Sequence, residues 1–418
     1  MEQKNPGAVS SPACPFSAET QEKILHHFDH HSSLYRDHSA EALKLLRDQA
    51  PVAKTDAHGG FYVLTRYQDV LEAARDDERF CSFWGITIPT NKAPWDRAQT
   101  IPIDLDPPYN ELFRDMMLPL FTPKAIDAYG VFLRQTATKL VDAFIEKGEA
   151  DLARDFGSPL TALFTMELAG IDHAQADFYA STIQYGIAHP GDPDALARMA
   201  EARGRVSREV AAQKDNPRSG GLIDYLFKAR VGGRPLMDWE IEAIVWLVLL
   251  GGVDSTQATI SNMAVHLSDH PELKQRLIEH PDSWDDAVEE YLRLVTPQQG
   301  LSRTVTRETS LGGVELQRGD RVLMSWQAAN LDESVFPNPN EIVLDRKNKR
   351  HLAFGIGKHR CMGSNIGRLE VLIALEQLLT RIPDFKVKAG EAELSADIGT
   401  VKAYKKVPIT FTPGKRSA

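Results

Sequence analysis

Cys361 stands in the string Phe354-Gly355-Ile356-Gly357-Lys358-His359-Arg360-Cys361-Met362-Gly363, where three glycines surround one sulfur. Helical periodicity begins immediately afterwards, near Met362 to Ser364, which places the thiol at a helix N-terminus. The positive end of a helix dipole lowers a thiol pKa, and glycine-rich backbone can turn its amides toward sulfur. Such a residue is suited to holding a metal as a thiolate. Taken alone, a Cys-X-Gly reads more readily as a buried structural cysteine beside a turn.

A second group lies in Leu247-Val248-Leu249-Leu250-Gly251-Gly252-Val253-Asp254-Ser255-Thr256, inside the longest helical pattern. Two adjacent glycines in a helix interior cost about 2 kcal/mol relative to alanine, so something should compensate. Asp254 and Ser255 form an acid-hydroxyl pair of the kind that passes protons. Close helix packing and a local kink explain the same residues without chemistry. A third group, Glu290 and Arg293, stands three apart on one helix face and can pair, as many surface residues do.

The elements that must position these groups are mostly helical. Apolar residues recur at three-four spacing over Tyr67 to Ala74, Phe132 to Ile145, Leu160 to Leu168, Met237 to Leu267, Trp284 to Leu294 and Asn365 to Ile382. Asp238, with Glu240 and Glu242 following, is the expected N-cap of the fourth, and Ser283 with Asp286 of the fifth. Extended runs occur at Val52 to Leu64, split by His58-Gly59-Gly60, and at Ser310 to Ser325, split by Gly312-Gly313 and Arg318-Gly319-Asp320. The fold class is therefore mainly α with small antiparallel β-sheets. Pro337-Asn338-Pro339-Asn340 forbids helix before the cysteine loop.

No linker interrupts the chain, so a flexible leader (1–18) and one domain (19–418) are expected. The net charge of -10, with 48 basic residues among 58 acidic ones, excludes a nucleic-acid footprint. Cys14, Cys81 and Cys361 are too few for a disulfide framework, which fits a reducing, cytoplasmic setting. The leader carries no signal sequence or membrane anchor, and Ile244 to Val253 is about half the length of a bilayer span.

The string around Cys361 resembles the haem-binding signature of the cytochrome P-450 family, Phe-Gly-X-Gly-X-His-X-Cys-X-Gly, at every fixed position. The resemblance implies a helix-rich triangular prism and haem b, with Cys361 as the metal ligand in a loop containing Phe354, Gly355 and Gly363. It implies that His359, Arg303 and Arg114 meet the haem propionates. The family's usual histidine before the last arginine is replaced by Asn110, so one propionate contact is weakened or remade. Gly251, Gly252, Asp254, Ser255 and Thr256 resemble the family's oxygen-binding groove, with serine where threonine is commoner. Glu290 and Arg293 match its Glu-X-X-Arg, and Arg346 occupies the place of its third, structural member.

The reaction so implied is insertion of one atom of dioxygen into an apolar organic molecule, by hydroxylation, O-dealkylation or epoxidation. The substrate would be a terpenoid, steroid, fatty acid or aromatic compound. Pocket residues expected on this reading are Trp84, Ile86, Leu247, Leu250, Gln298 and Leu301, within a roof that includes Phe83, Ile88 and Trp95. Only Gly414 to Ala418 follow the last extended segment. Electrons from NAD(P)H are therefore expected through a separate ferredoxin or flavodoxin and its reductase, docking on a monomer near Lys358, Arg360 and Arg114. A peroxide-using haem-thiolate enzyme and a non-catalytic haem sensor are the alternatives; the acid-hydroxyl pair counts against both.

Overall fold

The computed structural model describes residues 15–90 and 99–417. Trp95 and Cys14 lie outside that range, as does most of the leader; helix already begins at Ala18, capped by Ser17.

All the expected helices are present: Tyr67–Arg75, Gly130–Asp142, Ser158–Ala169, Trp284–Val295 and Ser364–Arg381 follow the periodicity closely. The stretch expected as one helix from Met237 to Leu267 is two, Asp238–Val253 and Ser255–Asp269, which meet at Asp254 (φ -100°, ψ -41°). A neighbour sustains the break, since Thr161 donates its hydroxyl to the Val253 carbonyl at 2.8 Å. The pair is long and apolar enough to cross a membrane, but 67% of its apolar window is buried inside the protein, which marks a core helix.

One expected cap is corrected. Met237, not Asp238, is the N-cap, and Glu240 performs the capping by accepting from the Met237 amide at 2.8 Å. Ser283 is at the cap position, yet its hydroxyl donates to the His280 carbonyl and Asp286 pairs with Lys349, so no capping box forms.

The five-stranded sheet runs Val52–Thr55, Phe61–Leu64, Arg321–Ser325, Gly300–Val305, Phe80–Cys81 in spatial order. Its pairings are antiparallel except that of Arg321–Ser325 with Phe61–Leu64, which is parallel, as is possible only for strands not joined by a hairpin. The largest apolar cluster fills the helical part around Leu160, Phe164, Val245, Leu249, Tyr291 and Leu375. A second lies under the sheet around Val70, Phe80, Val322 and Trp326. The cysteine loop runs between them.

Candidate active site

The backbone of the cysteine loop is fixed by local bonds. The Cys361 amide donates to the Phe354 carbonyl at 2.8 Å, and Arg360 closes a turn on Gly357. A Cβ on Gly357 (φ +73°) would lie 2.7 Å from the Ala74 carbonyl, so only glycine lets the loop press against the Tyr67–Arg75 helix. The Ser364–Arg381 helix starts three residues after Cys361, as the sequence indicates.

The thiol is enclosed by protein and yet keeps accessible surface, the mark of a side chain facing an internal space. Its expected pKa is corrected. Burial pushes the Cys361 thiol above its ordinary value, and the Gly363 amide with Arg114, Arg360 and Arg368 opposes this without reversing it. A cation at the sulfur would reverse that order.

Gly251 and Gly252 do different things. A Cβ on Gly252 would meet Thr165 Oγ1 at 2.6 Å, whereas one on Gly251 would meet nothing within 4 Å. Gly251 therefore faces open space, with Leu247, Leu250 and Ser255 partly exposed along the same stripe of an otherwise buried helix pair. Asp254 is 3% exposed and its carboxyl has no hydrogen bond or ion pair among the described residues; burial alone raises it to about 7. Ser255 donates to the Gly251 carbonyl at 2.9 Å. A Cβ on Gly367 would lie 3.8 Å from Thr256 Oγ1 and 3.6 Å from the Phe354 ring, so this helix break abuts the helix that follows Cys361.

Glu370 escaped sequence reasoning. It is 1% exposed beside the Thr256 hydroxyl, its Oε1 has no partner, and burial raises its carboxyl well above the usual range. A signal existed: Glu370 falls four residues after Ile366 and four before Ala374, on the apolar face of its helix.

The basic groups lie on the other side of the loop. Arg303 is 2% exposed, its guanidinium donates only to the Ser302 carbonyl, and it has no ion pair among the described residues. Burial pushes Arg303 down to about 10 against the pull of Asp77 and Asp106. His359 is held neutral, at about 3, by burial and by Arg303, Arg114 and Lys358; its Nε2 lies 3.3 Å from Ser82 Oγ and 3.4 Å from Asn110 Nδ2. Asn110 thus contacts the neighbouring histidine, and its buried Oδ1 is left without a partner. Arg114 donates to the Arg360 carbonyl at 2.7 Å.

Glu290 accepts from Arg293 (2.8 and 3.0 Å) and Arg346 (2.8 Å), both buried, and from the partly buried Val343 amide (2.9 Å). Burial opposes its ionisation, but those bonds overcome it and hold the carboxyl below its usual range. Both guanidinium groups also donate to carbonyls of residues 337–341, pinning the irregular passage that leads to Cys361.

The expected pocket residues are only partly assembled. Ser302 donates to the Ile86 carbonyl at 2.7 Å, which brings Ile86 beside Leu301. Gln298 bridges to Val401, while Trp84 is 42% exposed. An accessible sulfur and a buried arginine with unused donors fit an iron porphyrin, whose metal takes a thiolate and whose carboxylates take guanidinium.

Comparison with known proteins decides the family. Residues 283–406 match the Cytochrome P450 family model. Cytochrome P450 130 of Mycobacterium tuberculosis is 30% identical over 340 residues, 78% of this chain and 83% of that protein. The chain belongs to the cytochrome P450 family. The steroid C26-monooxygenase of Mycolicibacterium smegmatis is 29% identical over 386 residues, covering 91% of this chain and 94% of that one. The fold matches that of a cytochrome P450 from Chondromyces apiculatus with a TM-score of 0.83 over 94% of this chain and all of that one, at 24% identity. This cytochrome P450 is a haem-b monooxygenase that receives its electrons from redox partners.

Proposed function

We propose that this P450 hydroxylates an apolar lipid of steroid type, with Cys361 as the thiolate ligand and Asp254 as the proton carrier. The observation that carries the reading is the partly exposed stripe of Leu247, Leu250, Gly251 and Ser255, which joins an apolar wall to a buried carboxyl of pKa about 7. When bound, haem supplies the iron at which dioxygen is reduced and one of its atoms transferred.

The chain's own residues do the rest. Cys361 Sγ holds the metal, and Phe354, Gly355 and Gly363 shape its loop. Arg303, Arg114 and His359 take the propionates; Asn110 orients His359 rather than meeting a propionate itself. Asp254, neutral or ionised near pH 7, can accept a proton and pass it on, since its folded pKa lies near working pH. Ser255 Oγ, back-bonded to Gly251, is the hydroxyl beside it, and Thr256 with Glu370, whose carboxyl burial raises, forms a second hydroxyl-acid pair behind. Glu290, Arg293 and Arg346 keep the cysteine loop in place. Leu247, Leu250, Ile86 and Leu301 wall the substrate space and exclude water, with Gln298 at its edge; Trp84 stands at the rim. The steroid assignment is supported by the relative named for that chemistry and by these apolar walls.

The electron donor in this reading is an acidic ferredoxin or flavodoxin. A concave surface of about 900 Å³ beside the cysteine loop is lined by Arg75, Lys347, Lys349, Arg350, Arg360 and Arg368, with no carboxylate among its lining residues. Lys358 is partly offset by Glu111 at 3.2 Å, so Arg360 carries more of the attraction. A cytoplasmic monomer formed by a single domain from residue 19 onward is the setting proposed.

The test is a spectral titration of the ferric protein with sterols, fatty acids and aromatics. Sterols are expected to give the high-spin shift at the lowest concentration. A shift with aromatics alone would refute the substrate class.

A further inference from the structure

Far in sequence from Cys361, the turn Phe28-Asp29-His30-His31 between the first two helices meets the hairpin turn Ala57–Gly60. His58 (φ +51°) is directed from that hairpin turn so that its Nε2 lies 2.8 Å from Asp29 Oδ1. Asp29, His30 and His58 each bring a ligand atom within 4.8 Å of one another. None of them has a part in the haem chemistry.

The decisive residue is His30. It is 4% exposed, and its Nε2 donates to the Ile88 carbonyl at 3.2 Å. That bond puts the proton on Nε2 and leaves a lone pair on Nδ1, which is buried and has no partner. A ring nitrogen with a free lone pair, whose other nitrogen is held by a backbone carbonyl, is how a metal-bound histidine is arranged. Its neighbour His31 is no ligand, because Asp397 (2.8 Å) and the same Ile88 carbonyl (2.8 Å) occupy both its nitrogens.

We infer that Asp29, His30 Nδ1 and His58 form a site for a divalent transition ion of the zinc class. Two imidazoles and one carboxylate are a borderline donor set that suits zinc. Asp29 and His58 are partly exposed, which leaves an entry path and room for a water ligand. The ion takes the Nε2 lone pair of His58 with the ring proton on Nδ1, so the proton now between Nε2 and Asp29 is displaced, to Nδ1 from a neutral ring or to solvent from a charged one, and no electron moves. Bound there, it would cross-link the turn at 28–31, the turn at 57–60 and, through His30, the chain at Ile88.

The experiment uses the haem-loaded protein, so that Cys361 is already engaged, freed of loose metal with a chelator and titrated calorimetrically with zinc chloride. Saturable binding of one zinc per chain is expected, with a rise in melting temperature. His58→Gln and Asp29→Asn, chosen because both side chains are partly exposed, should each weaken binding by on the order of tenfold or more. His173→Gln, which removes a similar surface pair with Glu167, should bind as the wild type does. Absence of saturable binding, affinities in both site variants within about twofold of wild type, or an equal loss in His173→Gln would overturn the site.

Discussion

Replacing Asp254 by asparagine should stabilise the fold while impairing the reaction. The carboxyl has no partner, and burial moves its pKa from 3.8 to about 7. An acid whose pKa is raised on folding binds more protons in the native state, so stability falls as pH rises. The penalty is absent below the unfolded value and fully developed above the folded one. At about 1.36 kcal/mol per unit, it amounts to about 2 kcal/mol at pH 5 and about 4 kcal/mol at pH 8. Asparagine carries no such penalty. For 418 residues the unfolding entropy is ~0.9 kcal/mol/K, so Asp254→Asn should melt about 4–5 °C higher at pH 8 and about 2 °C higher at pH 5. Substrate-supported turnover should fall roughly 100-fold, with the substrate-induced spectral shift unchanged. Scanning calorimetry of the haem-loaded proteins at both pH values, with product formation assayed alongside, measures both halves. A variant that melts at or below wild type at pH 8 would show that the carboxyl is solvated. Unchanged turnover would remove Asp254 from the proton path.

Cys361→Ala should lose the red-shifted Soret band of the reduced carbon monoxide complex; a variant retaining it would show another axial ligand. Glu290→Ala strands two buried guanidinium groups and should cost about 3–5 kcal/mol, read as earlier unfolding and haem loss on heating. Stability unchanged within 1 kcal/mol, as for an exposed pair, would refute that role. Arg360→Glu should slow reduction by an acidic ferredoxin in stopped flow, with the difference shrinking as salt rises, and leave peroxide-driven turnover intact; equal loss in both assays would point to damaged haem binding instead. Ser255→Ala should keep dioxygen consumption but divert it to peroxide, and a coupling ratio equal to wild type would exclude the hydroxyl.

Basic residues gather on the cysteine-loop side although the whole chain is acidic. If the acidic donor proposed above docks there, a positive face within a negative protein would favour one orientation and disfavour the others, making association faster and more selective.

Cys361 and its glycines, the helix after them, the Asp254–Ser255 pair and the partnership of Glu290 with Arg293 could be read from the sequence because each is local. Periods of three to four, turn residues and motif spacing are set by neighbours along the chain. Which acids lose water, and which cations lack partners, is decided by packing between distant segments. The thiol of Cys361 shifts opposite to the expectation from its helix end because burial there outweighs the dipole. The long helix divides at Asp254 because Thr161, 92 residues earlier, takes the Val253 carbonyl. Asn110 finds His359 across 249 residues, and Glu370 meets Thr256 only when two helices cross. The lone pair of His30 gains its significance from His58 and Ile88, which no pattern within reach of residue 30 could supply. Local sequence encodes dihedral preference and amphipathic faces, while desolvation and charge pairing depend on what the folded chain brings together.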